Sequence, residues 1–305
     1  MKKKLEGLIN ILRYKLRYGL TVEWYNFWYI LLRKRHNVIP KIASIDDTIH
    51  EIVNNKCSVS RFGDGEILLT NPNKAIGFQK GSNALAKRLI EVLTSSNKNH
   101  LVCLSDTFTE LNRYNRKARR FWRTHFFLYN SYWECYIDSQ KQYYNTFVTR
   151  PYMDFASKER CQHWFEELKS IWDQRDIVFI EGEKSRLGVG NDLFDNVNSV
   201  RRILCPASNA FDKYDDILSA ALNLDKSILI LIALGPTATV LSYDLFKAGY
   251  QAIDIGHVDV EYEWWRMGAK RKVKLARKSV NEAANGKEVE DGGIEYDNQI
   301  IAKIL

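Results

Sequence analysis

The stretch Ile228–Ile255, ILILIALGPTATVLSYDLFKAGYQAIDI, decides the fold. Residues 228–234 are continuously apolar, as expected of a strand buried on both faces. Residues 237–248 carry a helical pattern, Gly249 stops it, and 252–255 return to strand character. A strand, helix, strand series of this length implies parallel pairing through a right-handed crossover. The same alternation extends upstream. Strands are predicted at 57–62, 101–104, 177–180 and 200–205, and helices at 44–54, 83–93, 113–122, 157–172 and 212–222. The fold class is therefore α/β, a Rossmann-like, mostly parallel sheet flanked by helices, with an N-terminal helical extension.

The chain has 305 residues, 45% of them hydrophobic, and a formal net charge of +8. With 16 Tyr, 14 Phe and 8 Trp it carries too much apolar surface for a disordered chain. The charge is unevenly placed. Residues 1–40 hold nine Lys/Arg against two acids, a net +7, which leaves +1 for the remainder. A uniformly basic nucleic-acid binder is thereby disfavoured. Within this arm, Trp24-Tyr25-Asn26-Phe27-Trp28-Tyr29-Ile30 precedes Arg33-Lys34-Arg35, a pattern suited to a headgroup interface. Packing of the same helix on the main domain, or on another subunit of a homo-oligomer, fits equally well. Five cysteines form no CxxC pair, no signal peptide is evident and no apolar run is long enough to span a bilayer. The expected location is cytoplasmic, with peripheral contact on the inner face of the membrane through residues 1–40.

The organisation expected is a basic, aromatic helical arm over 1–40, a main domain over 41–268, and a C-terminal basic helix and tail over 269–305. Seven Lys/Arg and no acid within 266–278 read as a solvated helix, and 285–298 as a loop.

Four segments can carry chemistry. In Ser60-Arg61-Phe62-Gly63-Asp64-Gly65-Glu66, extended backbone would put the carboxylates of Asp64 and Glu66 on one side, able to hold Mg²⁺ or Mn²⁺; an ordinary Asp-Gly turn explains the same residues. Gly182–Asp192 can offer backbone N–H groups and Arg186 to phosphate, or be a plain strand-to-helix loop leading into a short helical segment. Gly235-Pro236-Thr237 opens a helix, where Thr237 caps it or meets an anion. Finally, His257, Asp259, Glu261 and Glu263 alternate beyond the last strand, where open α/β folds place ligands. One of them can accept a proton from an attacking hydroxyl, or the acids can simply favour a helix start. The spacing offers no zinc site.

Together, SRFGDGE, VTRPYMDF, GEKSRLGVGNDLF, ILCPASNAFDKYDDIL, LGPTATVLSYDLFKAGYQAIDIGH and VDVEYEWW resemble, in order, the GT-D fold glycosyltransferases of bacteria. The resemblance spans about residues 45–268. It implies a nucleotide-sugar transferase using a UDP-hexose, with glucose as the expected sugar, and a divalent cation (Mn²⁺ or Mg²⁺) on an Asp-x-Glu element that corresponds here to Asp64 and Glu66. Arg61, Gly63, Arg186, Asn191, Asp192, Asn209 and Thr237 are then candidates for the nucleotide and donor sugar. Glu263 is the candidate base, with His257 orienting and Glu261 and Asp259 as rivals. The partner is a glycan acceptor, lipid-linked or protein-linked, in surface polysaccharide or glycoprotein glycan synthesis, with no nucleic acid. The alternatives are a Rossmann-type methyltransferase or other nucleotide-ligand enzyme, or a nucleic-acid-binding protein using the basic helix 113–123.

Overall fold

The computed structural model describes residues 19–31, 38–283, 285–286 and 293–305. The lysine triplet Lys2–Lys4 and the cluster Arg33–Arg35 lie outside the described residues. The N-terminal half runs α1 (residues 19–31), β1 (Lys41–Ile42), α2 (Ile45–Asn55), β2 (Ser58–Phe62), α3 (Asp64–Leu68), β3 (Ala75–Ile76), β4 (Gln79–Lys80), α4 (Asn83–Thr94), β5 (His100–Leu104), α5 (Arg116–Glu134) and β6 (Gln142–Asn145). The C-terminal half runs α6 (Cys161–Lys169), β7 (Asp176–Gly182), β8 (Ser199–Cys205), α7 (Tyr214–Leu222), β9 (Leu229–Ala233), α8 (Pro236–Lys247), β10 (Gln251–Asp254), α9 (Val258–Arg266), α10 (Ile294–Asn298) and β11 (Ile300–Lys303).

Nine strands form one sheet in the order β1-β6-β5-β2-β10-β9-β7-β8-β11, and every pairing in it is parallel. The expected α/β class is what the structure shows. Alternation within the strands sorts side chains onto two faces. Val178, Ile180, Ile230 and Ile232 pack with Ile217, Leu241 and Leu245 of α7 and α8. Ile177, Phe179, Leu229 and Leu231 face the opposite cluster, which includes Trp172 and Phe194. Both faces are covered, which is why these strands read as unbroken apolar runs.

The chain's two halves meet where β2 pairs with β10, through the single register pair Ile253↔Val59. Strand order reverses there, so a crevice opens beyond the carboxyl ends of β2, β10, β9 and β7. The junction is pinned by charge. Arg61 Nε donates to the Asp254 carbonyl at 2.8 Å, and its Nη2 reaches Asp254 Oδ1 at 2.6 Å. Gly256 closes the turn at φ +44°, and a Cβ there would sit 1.9 Å from the Arg61 guanidinium.

Several expectations are corrected. The helix expected at 113–122 starts at Arg116, after an Asn115 cap, and continues to Glu134 with a kink at Tyr129. The helix expected over 157–172 is confined to Cys161–Lys169, because Lys158 instead folds back to donate to the carbonyls of Tyr152 and Phe155. No helix forms over 266–278. α9 ends at Arg266, and 269–283 is irregular backbone carrying the buried Lys278. No helical segment follows Gly190, where the chain makes turns instead. The tail is also no simple loop, since α10 leads into β11, which adds the sheet's last strand beside β8.

Gly256→Ala should destabilise the fold by roughly 3 kcal/mol, because it strains the backbone and displaces one partner of a buried ion pair. Urea unfolding measures this. A loss below about 1 kcal/mol would mean that Arg61 moves aside freely.

Candidate active site

β2 ends at Phe62, Gly63 takes extended backbone (φ −108°, ψ −163°), and α3 begins at once with Asp64. The Asp-x-Glu element is therefore a first helical turn, not the extended segment expected. Residues two apart on a helix point in widely different directions, so a pleat does not align these carboxylates. Glu66 instead folds back and accepts the Gly63 N–H on Oε2 at 2.8 Å. Burial pushes the Glu66 carboxyl up to about 7; the Gly63 N–H opposes this, and the neighbouring Asp254 and Asp64 add to it. Burial likewise raises Asp64, against the pull of Arg150.

Around Asp64 the structure gathers groups from three distant segments. Arg150 Nη2 lies 2.5 Å from Glu282 Oε1, His257 Nε2 lies 3.4 Å from the same oxygen, and Lys272 bonds Glu282 Oε2. Burial alone would raise Glu282, but the Arg150 and Lys272 charges hold its carboxyl well below the usual range. His257 is held neutral, first by burial and then by the Arg150 charge. Glu261, one helical turn on from His257, is fully buried and accepts the N–H groups of Tyr152 and Met153 on Oε2 at 3.1 and 2.7 Å. It anchors the loop that carries Arg150.

The other two acids turn the opposite way. The run from His257 is helical from Val258, so positions four apart share a face. Asp259 and Glu263 both meet Asn191, whose Nδ2 donates to Asp259 Oδ1 at 2.7 Å and Glu263 Oε1 at 2.9 Å. The buried Lys278 Nζ completes this group, 2.5 Å from Asp259 Oδ2 and 3.4 Å from Glu263 Oε1. Helix α9 thus carries two acid sets, one beside Arg150 and one beside Lys278.

The remaining predicted residues are scattered. Arg61 is engaged with Asp254. Arg186 sits at φ +51°, with its guanidinium over the Tyr296 ring and near the Arg277 carbonyl. Asp192 faces outward to Lys169, Arg266 and the Tyr262 hydroxyl. Asn209 pins the β3–β4 hairpin by accepting the Lys80 N–H at 2.9 Å and donating its own to the Phe78 carbonyl at 2.8 Å. Phe78 covers Gly235, where a Cβ would meet its ring at 2.5 Å. Beside it, Thr237 is wholly buried at the start of α8, and its Oγ1 has no partner among the described residues.

Reading the sequence assigned no role to Arg150, Lys272, Lys278, Glu282 or Phe78. Arg150 stood within the quoted VTRPYMDF, so a signal existed for it. The others sit in segments whose local pattern says only "basic" or "loop".

An open parallel sheet with acids and bases massed at its carboxyl edge is the setting of an α/β enzyme. The model of the glycosyltransferase GT-D fold matches residues 59–283, and the chain belongs to that family. Glycosyltransferase GlyD of Streptococcus pneumoniae serotype 4 is 40% identical over 277 residues, covering 90% of this chain and 34% of that protein. A probable glycosyl transferase Gly of Streptococcus gordonii is 40% identical over 267 residues, covering 86% and 39%. The chain thus spans little more than a third of the length of these relatives. A solved structure described as the highly conserved domain of unknown function 1792 with a distinct glycosyltransferase fold superposes with TM-score 0.83 at 45% identity, covering 87% of this chain and 96% of that one. A new glycosyltransferase (DUF1792) from Streptococcus sanguinis gives 0.82 at 39% identity, covering 88% and 100%.

Burial lifts the Glu261 carboxyl from 4.5 to about 7, against the Arg150 charge. The folded state then keeps a proton that the unfolded state releases between those values. Its stabilisation is full below pH 4.5 and lost as pH rises through about 7. Glu261→Gln keeps an acceptor for both N–H groups without titrating. Relative to the native chain, the variant should gain melting temperature as pH rises from 5 to 8. A difference that stays constant across that range contradicts the assignment.

Proposed function

We propose that this chain transfers a hexose, glucose being the first candidate, from a UDP-sugar to a hydroxyl of a glycan acceptor. The acceptor would be lipid-linked or protein-linked, and the setting the cytoplasmic synthesis of a surface polysaccharide or glycoprotein glycan. The observation that carries the reading is the placement of Asp64 and Glu66 in one helical turn at the end of the central strand, beside Arg150, Lys272 and His257.

Asp64 and Glu66 fit a hard divalent cation such as Mg²⁺ or Mn²⁺. Both offer oxygen, burial shifts both carboxyls upward, and a bound cation would favour their charged forms. Among the described residues no three His, Cys, Asp or Glu side chains gather as a closed metal cage. When bound, such a cation neutralises the diphosphate and stabilises the charge growing on departing UDP. Arg150 and Lys272, balanced here by Glu282, add positive charge at the same place. The buried Thr237 hydroxyl at the start of α8, without a partner among the described residues, supports a donor contact there.

Glu263 is the base in this reading. Asn191 and Lys278 hold its Oε1, which leaves Oε2 to take the acceptor's proton. The acceptor oxygen bonds the anomeric carbon as the bond from that carbon to phosphate oxygen breaks, its electron pair leaving with UDP. A direct displacement of this kind inverts the anomeric centre.

Glu263→Gln should lower kcat by roughly 10²–10⁴-fold while UDP and Mn²⁺ still raise the melting temperature; unchanged turnover removes the base assignment. The double variant Asp64→Ala, Glu66→Ala should lose the Mn²⁺-dependent part of UDP stabilisation, and its persistence would count against the metal pair. Stabilisation of the native chain by S-adenosylmethionine or DNA, in place of UDP, would favour the methyltransferase or nucleic-acid reading.

A further inference from the structure

Helix α1 lies against α5 through one face only. Asn26 is buried and donates to the Arg120 carbonyl at 3.1 Å and Thr124 Oγ1 at 2.9 Å, and Tyr25 stacks on Phe127. The outer face carries Leu20, Trp24, Phe27 and Leu31, each more than half exposed and spaced four, three and four residues apart. Ile30 beside them is equally exposed, and Phe121 of α5 is exposed too. A soluble helix normally turns such a stripe inward. Here the aromatic and aliphatic residues point out.

Between the two helices runs a groove of about 340 Å³ lined by Arg116, Arg119, Arg120, Arg123, Phe27 and Ile30 among others. These arginines occupy i, i+3, i+4 and i+7 on the first two turns of α5, so they stand next to one another. They also crowd the positive end of the helix dipole, with no acid in the first turn to offset them. Arg120 pairs with Glu23 at 2.5 Å. Among the described residues, Arg116, Arg119 and Arg123 have no carboxylate within ion-pair distance. Repelling cations held together in a groove are an arrangement that an external anion would stabilise.

We propose that α1 and the first half of α5 form a docking surface for an anionic phospholipid bilayer. Trp24, Phe27 and the neighbouring aliphatic side chains enter the headgroup level, and the arginine row meets lipid phosphates. Apolar stripe and cation row lie side by side along one edge of the molecule, which matches the layering of an interface better than it matches a soluble anion. Among the described residues no helix is long and apolar enough to cross a membrane, so the contact is peripheral. The inference is independent of the donor and metal assignments.

The test is sedimentation of the full chain with phosphatidylglycerol-containing vesicles and with pure phosphatidylcholine vesicles, across a salt series. The native chain should bind the anionic vesicles, less at higher salt, and the neutral ones weakly. Arg119→Glu with Arg123→Glu should lower the partition coefficient by at least about tenfold and flatten its salt dependence. Trp24→Ser with Phe27→Ser should lower it at every salt concentration. Both variants should keep the native melting temperature and the native rate of donor hydrolysis, which separates docking from folding and from chemistry. Anionic vesicles bound equally by either variant would overturn the proposal. So would a native dimer in light scattering that Trp24→Ser with Phe27→Ser dissolves, since the stripe would then be a subunit contact. Duplex DNA displacing the vesicles at equal charge concentration would likewise assign the arginines to nucleic acid.

Discussion

The geometry of the cleft rests on one guanidinium. Arg61 leaves β2 and grips both the carbonyl and the carboxylate of Asp254 at the end of β10. These two strands share only one register pair, so backbone hydrogen bonding alone fixes their carboxyl ends weakly. The ion pair supplies that fixation where the loops diverge, with Gly63 and Asp64 on one side and Gly256 and His257 on the other. Thr239 of α8 adds a hydroxyl to the Arg61 carbonyl at 3.0 Å, which ties a third element to the same point. Burying such a pair is expensive unless every polar atom is satisfied. Gly256 meets that condition by leaving its Cβ position empty and donating its N–H to Asp254.

The same principle recurs at two further places and explains how irregular chain is held over an ordered sheet. Lys278, on backbone with no regular structure, reaches Asp259 and Glu263 of α9. Arg202 of β8 pairs with Glu181 at 2.6 Å, donates to the Leu187 carbonyl and lies against the ring of Tyr296. Glu181 in turn accepts the Leu187 N–H at 2.8 Å. One buried pair thus fixes the loop after β7 and the C-terminal helix together. Both pairs are directional, so they hold loops in one register where apolar packing would allow sliding.

This is also why the sequence disclosed the sheet better than the site. Apolar runs such as 228–234 and a stop at Gly249 report local periodicity, and local periodicity governs β9, α8 and β10. The carboxylate spacing at 64–66 and 257–263 fits a strand's period of two, and equally a turn at the first and a helix start at the second. Helices begin at Asp64 and Val258, so a period of 3.6 applies and the acids divide between faces. A seven-residue window holds too little pattern to choose between the periods. Lys278 sits in a basic run, and such a run by itself reads as solvated. Its partner lies nineteen residues away on another element, and no local signal encodes that pairing.

The +8 charge takes its meaning from that division. Acids at the carboxyl edge of the sheet are partly answered by Arg61, Arg150, Lys272 and Lys278. The surplus is left to the arm and to α5, whose Arg116, Arg119, Arg120 and Arg123 line the groove beside α1. Helix α5 also packs against α3, the helix that carries Asp64 and Glu66. If α1 and α5 seat on a bilayer as proposed, the α3–α5 packing would set the height of the reactive edge above it. Acceptor hydroxyls at that height would be favoured over those free in solution, because a fixed approach removes orientational freedom before the reaction begins. On the proposed docking, charge placed outside the sheet would bear on which acceptors the reactive edge can reach.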